Sequence, residues 1–399
     1  MSDPQMVTQR SGIATRLYGV SFILMASANF FTVSSFGFFF LFPLFITNHG
    51  GSEADIGIIM GAFSLASVLC RPWISEMIDG IGRKKSYTIG SLMMSLLPLA
   101  YLSFHGDLHQ FYLPLILIRL LHGVGLAICF TSVITYVVDI IPEKRLNEGI
   151  GMFGVTGLTG MALGPVLAEI IIRNFGFSFF FLAAAGMAVL GLVLHLFVSE
   201  SFVRGPHESR HSFFSVLFKQ RVFTAALLAL LFGFGLAASI GFVSPFGHEQ
   251  NIRFISLYYL CYSAAAVMTR LLGGRLADRI GETQVIPYAL LLSGVGLLML
   301  IFPGGIKILV LAGLTSGCGH GFLFPCLGSF VIRHEPANIR GKVNGVFTGA
   351  IDTGTLAGSV IFGYIGEWAG FRALFSVASL ALLSGSWLFK IRIRRGMTD

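Results

Sequence analysis

The chain has 399 residues, 55% of them apolar and only 12% charged, and its mean hydropathy is strongly positive. A soluble chain of this length carries about twice that charged fraction, so a large water-soluble core is excluded in favour of many bilayer crossings. The net charge of +8 does not signal nucleic acid. Most Lys and Arg residues crowd onto the loops of one face, the bias that sets membrane orientation, and no soluble domain is evident to hold a polynucleotide.

A spanning helix needs about 20 predominantly apolar residues, and polar breaks separate twelve such runs. The first six are predicted at 17–46, 54–75, 86–104, 112–138, 148–173 and 177–199. The second six are predicted at 221–246, 253–274, 285–302, 307–333, 343–366 and 372–391. The first 16 residues are polar, and the apolar run behind them is too long for a cleaved signal, so it reads as a helix that stays. The longest polar interruption, residues 200–220, contains Arg204, Arg210 and Lys219 and lies on the basic, cytoplasmic side. The expected division is residues 1–199, a linker at 200–220 and residues 221–399, with both termini cytoplasmic. Trp73, Trp368 and Trp387 fall near predicted helix ends, where indole rings favour the interface.

Cys70, Cys129, Cys261, Cys318 and Cys326 lie in or beside apolar runs without CxxC spacing. Neither a disulfide framework nor a zinc site is indicated. The sequence also lacks a phosphate-binding Walker loop, a Gly-rich nucleotide fingerprint and a metal-ligand cluster, so no cofactor and no enzymatic activity is expected.

Two loops repeat. RPWISEMIDGIGRKK at Arg71–Lys85 returns as RLLGGRLADRIG at Arg270–Gly281, and Arg71, Asp79 and Gly82 match Arg270, Asp278 and Gly281 at an offset of 199. In a chain of 399 residues that offset indicates two halves built alike. The stretch resembles the cytoplasmic loop motif of the major facilitator superfamily, G-x-x-x-D-R-x-G-R-R/K. Asp79, Gly82, Arg83 and Lys84 match it, with Ser75 for its first glycine and Gly80 for its first arginine. The second copy keeps Asp278, Arg279 and Gly281 but has Glu282 at the following basic position. Arg119-Leu-Leu-His122-Gly123-Val-Gly125 is similar to the family's helix 4 motif R-x-x-Q-G-x-G, associated with proton coupling, with His122 in place of glutamine. The stretch from Gly160 through Gly164 and Pro165 to Glu169 is similar to the antiporter-associated G-x-x-x-G-P-x-x-G-G, ending in Ala168 and Glu169. The resemblance spans essentially the whole chain. It implies an all-α integral membrane protein, with 12 transmembrane helices in two pseudo-symmetric six-helix bundles. The implied cavity between them opens alternately to either side and is lined mostly by helices 1, 4, 7 and 10.

Candidate residues follow from charge and depth. Asp79 and Asp278 end helices 2 and 8, where an aspartate can cap the positive end of a neighbouring helix. The resemblance implies helix 11, near Val343, for Asp79, and pseudo-symmetry suggests helix 5, near Glu148, for Asp278. Asp139, at the end of helix 4, is placed to meet Arg83. Arg119 lies inside hydrocarbon at a cost of about 3 kcal/mol or more, with His122 one turn away and able to titrate near neutrality. The bland reading makes Arg119 a backbone-satisfied residue and His122 a packing residue. Glu169 is open to two roles, pairing with Arg119 or reaching outer water. At 1.5 Å per residue, Asp352 and His320 lie roughly 20 Å below the outer face, an expected proton site, unless Asp352 only bonds Thr353 or Thr355. Asn29, Ser239 and Asn344 are candidate polar contacts for a solute, while Arg71 and Arg270 are expected to snorkel.

The favoured reading is a monomeric bacterial inner- or plasma-membrane protein exporting a small, partly apolar solute in exchange for protons. Its expected partners are that small-molecule solute, protons and the lipid bilayer. One rival is a proton-coupled importer of an organic acid, with Arg119 reading the carboxylate. Another is a non-transporting membrane sensor or scaffold.

Overall fold

The computed structural model describes residues 18–142, 145–201, 217, 219–333, 335 and 340–394. Most of the expected linker, residues 202–216 and 218, lies outside the described residues. The first bundle comprises α1 (Val20–Asn48), α2 (Glu53–Ile81), α3 (Arg83–Ala100), α4 (Leu108–Ile140), α5 (Leu146–Phe175) and α6 (Phe177–Leu196). The second comprises α7 (Gln220–Glu249), α8 (Ser256–Ile280), α9 (Glu282–Met299) and α10 (Gly305–Ile332), then α11 (residues 340–369) and α12 (residues 371–394). Among the described residues the fold is therefore all-helical, twelve helices in two groups of six.

Several joints between helices are single glycines. Gly82 (φ +100°) separates α2 from α3 and Gly281 (φ +91°) separates α8 from α9, so the repeated loop seen in sequence is also one repeated backbone turn. A positive φ of this size suits glycine, which has no Cβ to clash. Gly176 and Gly370 divide α5 from α6 and α11 from α12 in the same way. Helix α1 breaks at a 3₁₀ turn, Phe39–Leu41. Pro43, at the start of the next helical stretch, has no N–H for the Phe39 carbonyl, so the regular ladder cannot run through.

Within the first bundle α1 packs on α5 and α6, α4 on α2 and α3, and α3 on α6. In the second, α10 packs on α8 and α9, and α7 lies against the α11–α12 segment. Two antiparallel seams join the bundles, α2 beside α11 and α5 beside α8. Glycine makes the first seam close: a Cβ on Gly57 would lie 2.4 Å from the Ser359 carbonyl oxygen and 2.9 Å from Gly363 Cα. Contacts of that kind substitute for a hydrophobic drive, which lipid does not supply between helices. Trp73, Trp368 and Trp387 are 66%, 79% and 65% exposed, as interfacial anchors would be.

Candidate functional site

At the end away from the basic loops, two acids each cap a helix of the other bundle. Glu169, late in α5, accepts hydrogen bonds from the amides of Ile255 (3.0 Å) and Ser256 (2.8 Å) at the start of α8. Glu367, late in α11, accepts from the Ser52 hydroxyl (2.8 Å) and the Ala54 amide (3.2 Å) at the start of α2. Each carboxylate satisfies amides that have no intrahelical partner and meets the positive end of the helix dipole. Arg173 holds Glu169 from the other side at 3.3 Å. Glu169 thus bridges the bundles, buried at 6% exposure, rather than meeting Arg119 or open water. Between the caps the Tyr259 hydroxyl donates to the Phe40 carbonyl at 3.4 Å, and the far end of α1 rests on α7. Helices α4 and α10 make no comparable contact among the described residues. Among the described residues the bundles therefore meet at the capped end and along the two seams.

Farther along the first seam, Asp352 of α11 pairs with Arg71 of α2 and accepts a hydrogen bond from Ser67 (2.8 Å). Arg71 also donates to the Thr348 hydroxyl at 2.8 Å. The two charged side chains are 22% and 29% exposed. Arg71 turns into the seam instead of snorkelling. His320 has a different partner, the Tyr262 hydroxyl at 2.6 Å, and rests against the rings of Phe232 and Phe324. Asp352 and His320, paired by depth in the sequence, each have their own contacts.

Arg119 is enclosed in the first bundle at 1% exposure. Its guanidinium carbon lies 5.4, 5.1 and 4.6 Å from the ring centres of Phe39, Phe42 and Phe63, and Nη2 meets the Met60 sulfur at 3.5 Å. Nε and Nη1 have no hydrogen-bond partner. His122 is fully buried beside it, its Nδ1 3.4 Å from the Tyr101 hydroxyl and its ring edge-on to Phe39. Asn29 donates to the Thr156 hydroxyl at 3.1 Å across the α1–α5 contact. Where the bundles meet there is a void of about 10 Å³, room for roughly one water, lined by Phe40, Met161, Ser239, Tyr258 and Tyr262. The Tyr258, Tyr259 and Tyr262 cluster on α8 escaped the sequence reading. Its spacing places one face toward the seam, but an aromatic stripe reads equally well as core.

The basic end carries a network inside the first bundle. Arg83 Nε donates to Asp139 at 3.0 Å, and Asp139 also accepts from the Ser201 hydroxyl at 2.9 Å. Glu200 caps α3 through the amides of Arg83 (3.0 Å) and Lys84 (3.1 Å). A Cβ on Gly82 would lie 2.6 Å from the Glu200 carboxylate, a second reason for glycine there. Asp79 is largely exposed and meets Arg83 at 3.4 Å. The first side chains of α11, residues 340–342, and those of Glu148 and Asp278 lie outside the described residues, and Arg279 is exposed. In the second bundle the corresponding link has its charges exchanged: Glu282, after Gly281, pairs with Arg333 at the end of α10 at 3.1 Å. The glutamate that departs from the loop motif thus has a compensating arginine.

The Major Facilitator Superfamily model matches residues 22–259 and 248–397. Multidrug resistance protein MdtG of Klebsiella pneumoniae (strain 342) is 23% identical over 93% of this chain and 91% of its own. Multidrug resistance protein 2 of Bacillus subtilis (strain 168) is 25% identical over 85% and 86%. Among solved structures, the nucleoside transporter NupG superposes with a TM-score of 0.72 at 14% identity, covering 94% of this chain and 99% of that one. With twelve helices in two bundles and a family match along nearly its full length, the chain belongs to the Major Facilitator Superfamily, a family of transporters and not of enzymes.

Proposed function

We propose that this transporter exports small, partly apolar organic solutes in exchange for protons by alternating access. The basic face and both termini are cytoplasmic, residues 200–220 link the halves, and one chain is the working unit. The observation that carries the reading is the Asp352–Arg71 pair in the seam between the bundles. The pair joins α2 of one bundle to α11 of the other. Both side chains are half-buried in the seam. This is the arrangement expected of an exchanger that has released its proton inward and awaits a solute. When the molecule opens outward, protonation of Asp352 removes the charge that Arg71 holds and frees α2 to move along α11. The multidrug names of two relatives support export.

Proteoliposomes with an imposed pH gradient test this with a panel of neutral, cationic and anionic aromatic solutes. Asp352→Asn keeps the size and most hydrogen bonding but cannot release a proton. It is expected to lose uphill transport while retaining solute counterflow. Uphill transport that survives with unchanged dependence on the gradient would remove Asp352 from coupling.

A further inference from the structure

The two seams differ in one respect: Arg71 in the first has an acid, while Arg270, its repeat partner in the second, has none. Among the described residues Arg270 forms no ion pair and no hydrogen bond, and its Nε is buried without a partner. Its guanidinium lies over the Phe324 ring at 5.5 Å. The α5 surface opposite repeats that of α11. Gly349 faces Arg71, the Cβ position lying 3.9 Å from its Cδ, and Gly154 faces Arg270, the Cβ position lying 2.9 Å from its Nη1. Three residues beyond Gly349 stands Asp352, and three beyond Gly154 stands Gly157. The second seam has therefore kept the cation without a carboxylate partner among the described residues.

We infer that Arg270 is the binding residue for an anionic group on the solute, an aromatic carboxylate or sulfonate whose oxygens take the place of the missing aspartate. A half-buried guanidinium whose Nε lacks a partner is unfavourable, and its planar fork matches a carboxylate or sulfonate in a bidentate way. The surroundings suit an aromatic body: Phe324 lies under the guanidinium and is 36% exposed, and Tyr262, bonded to His320 of α10, lies just over two turns back along α8. Arg119, the other cation without an acid in the membrane, is closed off by its three rings and is not available to a solute in this form. The inference rests on reading the seam between the bundles as the solute path, but not on proton coupling.

Equilibrium binding to the full chain in nanodiscs, without any gradient, tests it separately from coupling. The probes are naphthalene-2-sulfonate and 2-naphthoate, with naphthalene-2-sulfonamide as the neutral match. The wild type is expected to bind both anions and to bind the sulfonamide more weakly. Arg270→Gln should weaken the anions by about tenfold or more, the loss typical of a charge-assisted pair, and Arg270→Lys by less. Monodispersity by gel filtration checks that each variant is folded. Failure of the wild type to bind either anion, equal binding of the sulfonamide, or unchanged anion affinity in folded Arg270→Gln would each overturn the assignment.

Discussion

Arg119 grips α1 where its winding changes. The guanidinium stands over Phe39 and Phe42, which flank or begin the irregular stretch, and over Phe63 of α2. Each such contact contributes about 0.5–2 kcal/mol, and together they fix the part of α1 that rests on α7. Arg119→Ala is therefore expected to slow turnover by about tenfold or more, since roughly 1.4 kcal/mol is a factor of ten in rate. Solute affinity should stay within about twofold, because the side chain is not a solute contact. Counterflow rates and equilibrium binding separate the two, and equal losses in both would make Arg119 a solute ligand instead. The sequence made this arginine conspicuous through its cost in hydrocarbon. Its cage was not legible, because the rings come from two other helices and are three among 39 phenylalanines. Asp352 was conspicuous for the same reason, yet its partner lies 281 positions away. Nothing local distinguishes that partner from His320 at similar depth. Glu367 gave no signal at all, since an acid at the end of an apolar run reads as a solvated one.

The seam of α2 and α11 shows what helices add to these residues. Twelve apolar runs became twelve helices, but the boundaries moved at the basic end. Helix α2 continues to Ile81, past the predicted end at 75, and α3 begins at Arg83. Charge ends a hydropathy run without ending a helix, and only the glycine joint stops the backbone. Along the seam Gly57 and Gly61 meet Ser359, Val360 and Gly363, followed by Ser67 with Asp352 and Arg71 with Thr348. The glycines hold the far end shut and the charged pair occupies the middle. In Gly57→Ala the new methyl meets backbone at 2.4 Å and cannot be accommodated without separating the helices. Overpacking of this kind costs about 1–3 kcal/mol. The variant is expected to melt earlier and to expose Ser359, which is 2% exposed in the closed seam. A Ser359→Cys reporter, in a background without the native cysteines, should then react faster with an impermeant maleimide added from outside. Unchanged labelling would mean that the seam yields elsewhere.

At the scale of the whole molecule, the two bundles can rock only if both seams release at the same end. The ion pairs of Arg83 with Asp139 and of Glu282 with Arg333, at the basic end, each lie within one bundle and stiffen it. The caps made by Glu169 and Glu367 do cross between bundles, one on each seam, and both lie at the closed end. A carboxylate at a helix N-terminus contributes up to about 2 kcal/mol in a partly buried site. Glutamine keeps an accepting oxygen but loses the charge. Glu169→Gln and Glu367→Gln are therefore each expected to move the population toward the outward-open form by roughly tenfold. Because rigid bundles open both seams in one motion, the two losses act on a single equilibrium. The caps share no partner, so their effects should add, giving about a hundredfold in the double variant. Spin labels on Asn48 and Gln250, both exposed at the closed end and on different bundles, would read this as a growing long-distance population. A double variant no more open than either single one would show that the seams move independently. A change confined to labels at the basic end would show that the caps are not the gate.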